Sequence, residues 1–231
     1  MFHIIMFVLC GGVLLAVGFT AGLFSTLPAL RRMHEQVEGA AWSLTRDQLT
    51  EQLNRTGLLM LEHEPRWHGA SIVMLVDVDL FKQVNDTYGH HVGDQLLRVV
   101  SQRLARVAER HAGVAARLAG DEFAVALPAR RDVAAVAASV VAATARPAHV
   151  ETDEGLVVLR VAVSVGACWI DSGDSMEEVG LHRADIAMYH AKKRHGGPAY
   201  AVYEPGMQMP VRSPRRGPRL RDLRRTRRRS L

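Results

Sequence analysis

The chain has 231 residues, 48% of them hydrophobic, which is enough for one ordinary domain with a packed core plus accessory segments. Its net charge of +5 is unevenly placed: residues 211–231 hold ten arginines against the single acid Asp222, so everything before them sums to a mildly acidic −4. The high pI therefore belongs to the tail and not to the body, and two cysteines, Cys10 and Cys168, exclude a disulfide framework and fit a reducing compartment.

Phe2 to Leu27 carries no Asp, Glu, Lys or Arg, with His3 as its one strongly polar side chain. That exceeds the roughly 20 residues a spanning helix requires. Residues 1–28 are read as a transmembrane anchor ending at Pro28. Arg31 and Arg32 follow, and the positive-inside tendency places the rest of the chain in the cytoplasm, as a single-pass protein of the cell (inner or plasma) membrane. A cleaved signal peptide lacks support, because no basic segment precedes the apolar run and no small-residue cleavage site follows it. Residues 29–45 read as a linker helix, with Met33, Val37 and Ala40 or Ala41 at helical spacing; two heptads are not reached, so pairing with a second copy rests on little.

Residues 46–205 read as one α/β (α+β) domain. Ser71 to Val78 is a nearly continuous apolar, β-branched run, expected as a buried central strand ending at Asp77 to Asp79. Leu96, Leu97, Val99, Val100, Leu104 and Val107 recur every three or four residues, which predicts an amphipathic helix. Val114 to Leu118 and Glu122 to Leu127 are two short strands separated by Ala119-Gly120-Asp121, hence a hairpin with acids at its tip. A helix over Asp132 to Ala145, a strand region over Leu156 to Trp169, a helix over Glu177 to Lys193 and a strand at Tyr200 to Tyr203 complete the order β-α-β-β-α-β-α-β. Such an order fits a mainly antiparallel sheet covered by helices.

Two stretches carry the chemistry. One is Asp77-Val-Asp-Leu-Phe-Lys82-Gln-Val-Asn85-Asp-Thr-Tyr-Gly89-His90-His91-Val-Gly93-Asp94, and the other is Arg117-Leu-Ala-Gly-Asp-Glu-Phe123. With Asp77 at a strand end and Asp121 at the neighbouring hairpin tip, both carboxylates can face one edge of the sheet. Such an edge suits Mg²⁺, which is commonly held by one or two carboxylates plus phosphate oxygens. A lone acidic pair would otherwise be a solvated turn. Lys82 can meet phosphate as a point charge. Gly89 and Gly93 permit close turns, and His91 reads as a turn residue.

In both stretches the chain resembles the GGDEF family, the diguanylate cyclases, with Ala119 in place of the first signature glycine. The resemblance implies the palm-like fold shared with class III nucleotide cyclases, and a homodimer in which two GTP condense to cyclic di-GMP with Mg²⁺ or Mn²⁺. It further implies Asp77, the carbonyl of Val78 and Asp121 as metal ligands, and Glu122 as ligand or general base, with the choice of base between Asp121 and Glu122 open. Lys82 then serves the α-phosphoryl charge, while Asn85, His90, Asp94 and Gly120 bind substrate; Asn85 and Asp94 fall to the guanine edge, and a carboxylate there accepts from N1–H and the 2-amino group, a donor pair adenine lacks, which favours GTP over ATP. Arg183-Ala-Asp-Ile-Ala-Met-Tyr-His-Ala-Lys192 follows the family's late helix motif, so Lys192 is expected on the terminal phosphates. Asp47-Gln-Leu-Thr-Glu-Gln-Leu-Asn-Arg55 is similar to the family's opening motif, with Glu51-Gln52 where Gly-Leu is usual. Val163-Ser-Val-Gly166 matches a core strand and is assigned to packing.

Three departures bear on activity. The late phosphate arginine is missing, its place taken within His195-Gly196-Gly197, with Arg194 two positions away. The inhibitory Arg-x-x-Asp becomes Arg110-His-Ala-Gly113, so tight product inhibition there is not expected. Ala119 lowers activity if its position needs positive φ or close approach to ribose. The readings are thus a membrane-anchored diguanylate cyclase or a catalytically silent module that binds GTP and regulates a partner; an adenylyl cyclase loses on Asp94 and on the hairpin. The tail 206–231 is expected to be disordered and either solvated or laid against anionic lipid. Having no aromatics for base stacking, it is not expected to bind nucleic acid specifically.

Overall fold

The computed structural model describes residues 42–128, 132–193 and 199–209, with Met6, Gly12, Met33 and Gly39. Apart from Met6 and Gly12, the span read over 2–27 lies outside the described residues, as do most of the linker helix, residues 194–198 and the arginine-rich tail from 210 on; among those described, no helix is long and apolar enough to cross a membrane.

The central strand β1 (Ser71–Val78) is buried on both faces because its side chains alternate between two cores. Ile72, Met74, Val76 and Val78 join Leu96, Leu97, Val100 and Leu104 of a long helix in one cluster. Val73 and Leu75 join Met176, Leu181, Ala184 and Met188 in the other. In chain order, the elements are α1 (Arg55–Met60), β1, α2 (Phe81–Tyr88), α3 (His90–Glu109), β2 (Val114–Ala119), β3 (Glu122–Pro128), α4 (Val133–Thr144), β4 (Ala148–Thr152), β5 (Gly155–Leu159), β6 (Val163–Ile170), a π turn (Met176–Leu181), α5 (His182–Lys193) and β7 (Tyr200–Val202). Five strands form a sheet in the order β2-β3-β1-β6-β7, while β4 and β5 make a separate two-stranded hairpin. The β1–β3, β1–β6 and β2–β3 pairings are antiparallel and β6–β7 is parallel, so the sheet is mixed at one edge.

Helices α3 and α4 cover one face, and the π turn with α5 covers the other. The second layer lies close because Gly166 has no side chain: a Cβ there would stand 2.0 Å from the Ala184 carbonyl and 2.2 Å from the Met188 nitrogen. This is the packing role the sequence assigned to Val163–Gly166. Phe123 of the signature is fully buried and anchors the hairpin from below; its truncation to alanine would cost about 3–5 kcal/mol. Cys168 is also interior, its thiol donating to the Gly180 carbonyl at 3.2 Å. Burial pushes that thiol up to about 12, so it acts as a small apolar residue.

The structure differs from the sequence expectation in four places. The apolar run read as one strand region over 156–169 is two strands, β5 and β6, broken at residues 160–162; alternation hardly falters across Arg160, so the boundary leaves no mark. Strand β4 was missed because it is short and half polar, AHVET. Helix α2 buries no residue fully: Phe81 and Val84 pack on the core only in part, and eight mostly polar residues give too short a stripe to read. The helix expected over 177–193 begins as a π turn and becomes α-helical at His182.

Candidate active site

The sheet brings acids together at the ends of β1 and β3. Asp77 and Glu122 are directly paired across the β1–β3 ladder, so their side chains share the face covered by α5. Asp121 occupies the turn between β2 and β3, and its carbonyl accepts the Val78 amide at 3.3 Å, tying the hairpin tip to the end of β1. From the last turn of α5, Lys192 reaches over to donate to Asp77 Oδ1 at 2.7 Å. Partial desolvation, followed by the like charges of Asp77, Asp121 and Asp185, raises the Glu122 carboxyl above its ordinary value, and Lys192 works against the rise. Three carboxylates competing around one ammonium make an excess of negative charge that a divalent cation would neutralise.

The turn itself is braced from the side. Arg117 donates to the Gly120 carbonyl at 2.9 Å through Nε, and to both oxygens of Asp47 at 3.0 and 3.2 Å through Nη1. Asp47 also accepts from the Thr50 amide at 2.9 Å and hydroxyl at 2.8 Å. Burial would raise the Asp47 carboxyl, but the hydrogen bonds from Thr50 and Arg117 outweigh it and hold the group below its usual value. Asn54 caps α1 by accepting from the Gly57 amide at 2.9 Å. The opening motif is therefore a scaffold for the hairpin tip.

Gly120 takes the left-handed conformation at φ 54°, whereas Ala119 is not among the residues with positive φ. Ala119 closes β2 opposite Glu122, after an irregularity in register following Arg117, and is exposed. The methyl group therefore carries none of the backbone penalty that a left-handed position would impose.

Along the second wall, Leu80 sits in the left-handed region at φ 59° ahead of α2, and Gly89 at φ 87° separates α2 from α3. Asn85 packs directly on Gly93: a Cβ at 93 would stand 1.9 Å from Asn85 Oδ1. That oxygen is buried against Gly93 without a hydrogen-bond partner. Asp94 is half-buried on the following turn of α3, and His90 is exposed at its first residue. Lys82 is not drawn to the carboxylates, since its ammonium pairs with Asp86 one turn on.

Sequence reasoning brought out Asp77, Asp121, Glu122 and Lys192 together, and missed Arg117 and Asp185. Arg117 lies four residues before Asp121, a spacing that could have marked it as a brace of the turn. Asp185 lies within the late helix motif, and its charge acts on Glu122. Ser164, assigned to packing, donates to Asp79 Oδ1 at 2.8 Å and fixes the chain as it leaves β1. Among the described residues no cluster of three or more His, Cys, Asp or Glu side chains is arranged to hold a metal by itself. Two carboxylates at a strand end still fit Mg²⁺, whose remaining ligands are ordinarily phosphate oxygens and water.

Residues 44–197 match the family model described as diguanylate cyclase, GGDEF domain. The chain is 38% identical over 138 residues to the bifunctional diguanylate cyclase/cyclic di-GMP phosphodiesterase MucR of Pseudomonas aeruginosa, covering 58% of this chain and 19% of MucR. It is 33% identical over 181 residues to the probable diguanylate cyclase DgcE of Escherichia coli, covering 76% of this chain and 16% of DgcE. The chain thus spans under a fifth of these larger relatives, but 80% of an uncharacterized 19.3 kDa protein of Streptomyces ambofaciens at 39% identity over 154 residues and 66% of this chain. Among solved structures, the coiled coil and GGDEF domain of DgcB from Caulobacter crescentus, in complex with c-di-GMP, superposes with a TM-score of 0.66 at 28% identity, covering 80% of this chain and 98% of that one.

Proposed function

This chain belongs to the GGDEF family, and from that premise we propose that it is a diguanylate cyclase, joining two GTP into cyclic di-GMP with release of two pyrophosphates. The observation that carries the reading is the convergence of Asp77, Asp121 and Glu122 with Lys192 at one sheet edge. Asp77 and Asp121, with the Val78 carbonyl, would hold Mg²⁺ or Mn²⁺. Bound there, the cation supplies Lewis acidity toward the α-phosphate and the attacking 3′-hydroxyl. Lys192 exchanges its pairing with Asp77 for the terminal phosphates, which need a cation once Asp77 is engaged elsewhere. Asn85 and Asp94 accept from the guanine edge. Glu122, whose carboxyl is raised, would hold the proton leaving the 3′-hydroxyl, with Asp121 as the competing base. Each half-site presents one GTP, so attack of one on the other requires a twofold homodimer, at least transiently.

The second reading, a silent GTP-binding module, draws support from the replaced late arginine alone, since Ala119 adopts a conformation that strains nothing. Residues 2–27 are proposed as a single-pass membrane anchor with the domain on the cytoplasmic side, and the basic tail as a contact for anionic lipid. The deciding experiment incubates the full chain in detergent with GTP and Mg²⁺ and resolves the nucleotides. Cyclic di-GMP is expected from the parent and none above background from Asp77→Ala or Asp121→Ala, with thermal unfolding unchanged. Turnover near the parent's in either variant would overturn the site assignment.

A further inference from the structure

The β4–β5 hairpin is separate from the main sheet, and its two outer edges differ. On the β4 side a side chain closes the edge. Gln95 of α3 donates to the Glu151 carbonyl at 2.8 Å and accepts the Glu151 amide at 2.9 Å, filling the place of a neighbouring strand. The β5 side has no such cover: among the described residues no backbone hydrogen bond reaches residues 155–159 from outside the hairpin. The two-residue turn between Thr152 and Gly155 aims the peptide groups of Gly155, and by alternation those of Val157 and Leu159, toward β4. Those of Leu156 and Val158 then point out along the open edge. The side chains of Leu156 and Val158 are 66% and 52% exposed. The strand, Gly-Leu-Val-Val-Leu, carries no charge, proline or bulge of the kind that guards a sheet edge.

We propose that the open edge of β5 pairs with β5 of a second copy of this chain, antiparallel about a twofold axis at Val157. In that register Leu156 of each copy lies opposite Val158 of the other. These are the residues with free peptide groups, so each such pair exchanges both of its backbone hydrogen bonds. Their exposed side chains meet on one face of the joined sheet, where cross-strand apolar pairs are favourable. Charge selects the same register. Arg160 of each copy falls opposite Glu154 of the other; both are exposed, and among the described residues neither has an ion-pair partner in its own chain. An axis at Val158 would set Arg160 against Leu156, and an axis at Leu156 would set it against Thr152. The assembly closes at two copies, since the pairing consumes both open edges and Gln95 seals the others.

The contact stands whether or not the chain turns over GTP, and it is tested without turnover. The full chain in detergent carries Cys10→Ser and Val157→Cys, with Cys168 buried. Across the axis the two introduced thiols occupy a non-hydrogen-bonded pair, about 4.5 Å between Cα atoms and within disulfide reach. Mild oxidation is expected to give a covalent dimer. Leu156→Lys on that background places a charge on the apolar edge and should cut the yield at least about tenfold. Glu154→Arg or Arg160→Glu should each cut it about threefold, because like charges then face each other on both sides of the axis. Combining the two reversals in one chain should restore the yield. These positions are exposed, so thermal unfolding should be unchanged throughout. Failure to form the covalent dimer, which would leave the edge to a strand of some other protein, would overturn the proposal. So would a yield indifferent to Leu156→Lys, or a combined reversal that cross-links no better than the single ones.

Discussion

Two turns in this molecule stand where the family pattern has glycine and this chain does not, and they respond in opposite ways. At the hairpin tip the replaced residue is Ala119, but the left-handed conformation falls on the next residue, Gly120, at φ 54°. In the opening motif the replaced residue is Glu51, and it holds the left-handed conformation itself at φ 60°. A non-glycine residue there costs roughly 1–2 kcal/mol. The site-bearing turn has kept its backbone unstrained and the scaffolding turn has not. What a glycine replacement does depends on the φ of the position, not on the motif that contains it.

Arg117 links the two turns, so removing it tests both at once. Arg117→Ala leaves Asp47 partly buried without its partner and frees the Gly120 carbonyl; a loss of about 2–3 kcal/mol is expected in denaturant unfolding, together with reduced turnover. A loss under about 0.5 kcal/mol would show that the brace is idle. Asp47→Asn should cost about 1.5–2 kcal/mol at neutral pH, and its pH dependence gives the sharper reading. Because the folded carboxyl is held below its ordinary value of about 3.9, its stabilisation is complete above that value and is lost as pH falls through the depressed one. The gap between parent and variant should be flat from neutral to about pH 5 and narrow as pH falls below about 4; a gap that does not narrow at all in acid would assign it to shape and not to charge.

The glycine restorations separate the turns directly. Ala119→Gly relieves no strain and only adds unfolded-state freedom, so the fold should weaken by roughly 0.5–1 kcal/mol, while turnover rises or stays equal. A marked fall in turnover would mean the methyl has a positive role at the site. Glu51→Gly relieves roughly 1–2 kcal/mol of left-handed strain against roughly 0.5–1 kcal/mol of added freedom, a net gain of about 0.5–1 kcal/mol. A destabilised Glu51→Gly would break the comparison.

The central strand, the long helix and the acidic hairpin were legible because each announces itself by a period or a turn signal: the unbroken β-branched run of β1, the three-and-four spacing of Leu96 to Val107, and Gly120-Asp121 between two short strands. The carboxylate pair followed from that topology, since a strand end and a neighbouring hairpin tip must share an edge. What stayed hidden had no local signal. Helix α2 buries only parts of Phe81 and Val84, and β4 is too short to establish alternation. The Arg117–Asp47 pair joins residues 70 positions apart, and neither pattern nor propensity reports such a contact. The φ of Ala119 was equally invisible, because the string alone does not say whether residue 119 or 120 takes the left-handed conformation until the strand register is known.

The π turn at Met176–Leu181 sets the clock of α5. One extra residue in a helical turn advances every later side chain by about 100° around the axis, and the turn is locked by Ser175, which accepts from the Glu178 amide at 3.3 Å, and by Glu62, which accepts from the Met176 amide. Lys192 thus meets Asp77 at an angular phase decided some ten residues earlier, at the opposite end of the helix. Removing one residue from that turn could leave helix content unchanged by circular dichroism and yet sweep Lys192 and Asp185 away from the carboxylates together. For this chain, insertions and deletions between Ser175 and His182 act as rotations of the Lys192 end of the carboxylate cluster, and a substitution scan would never sample them.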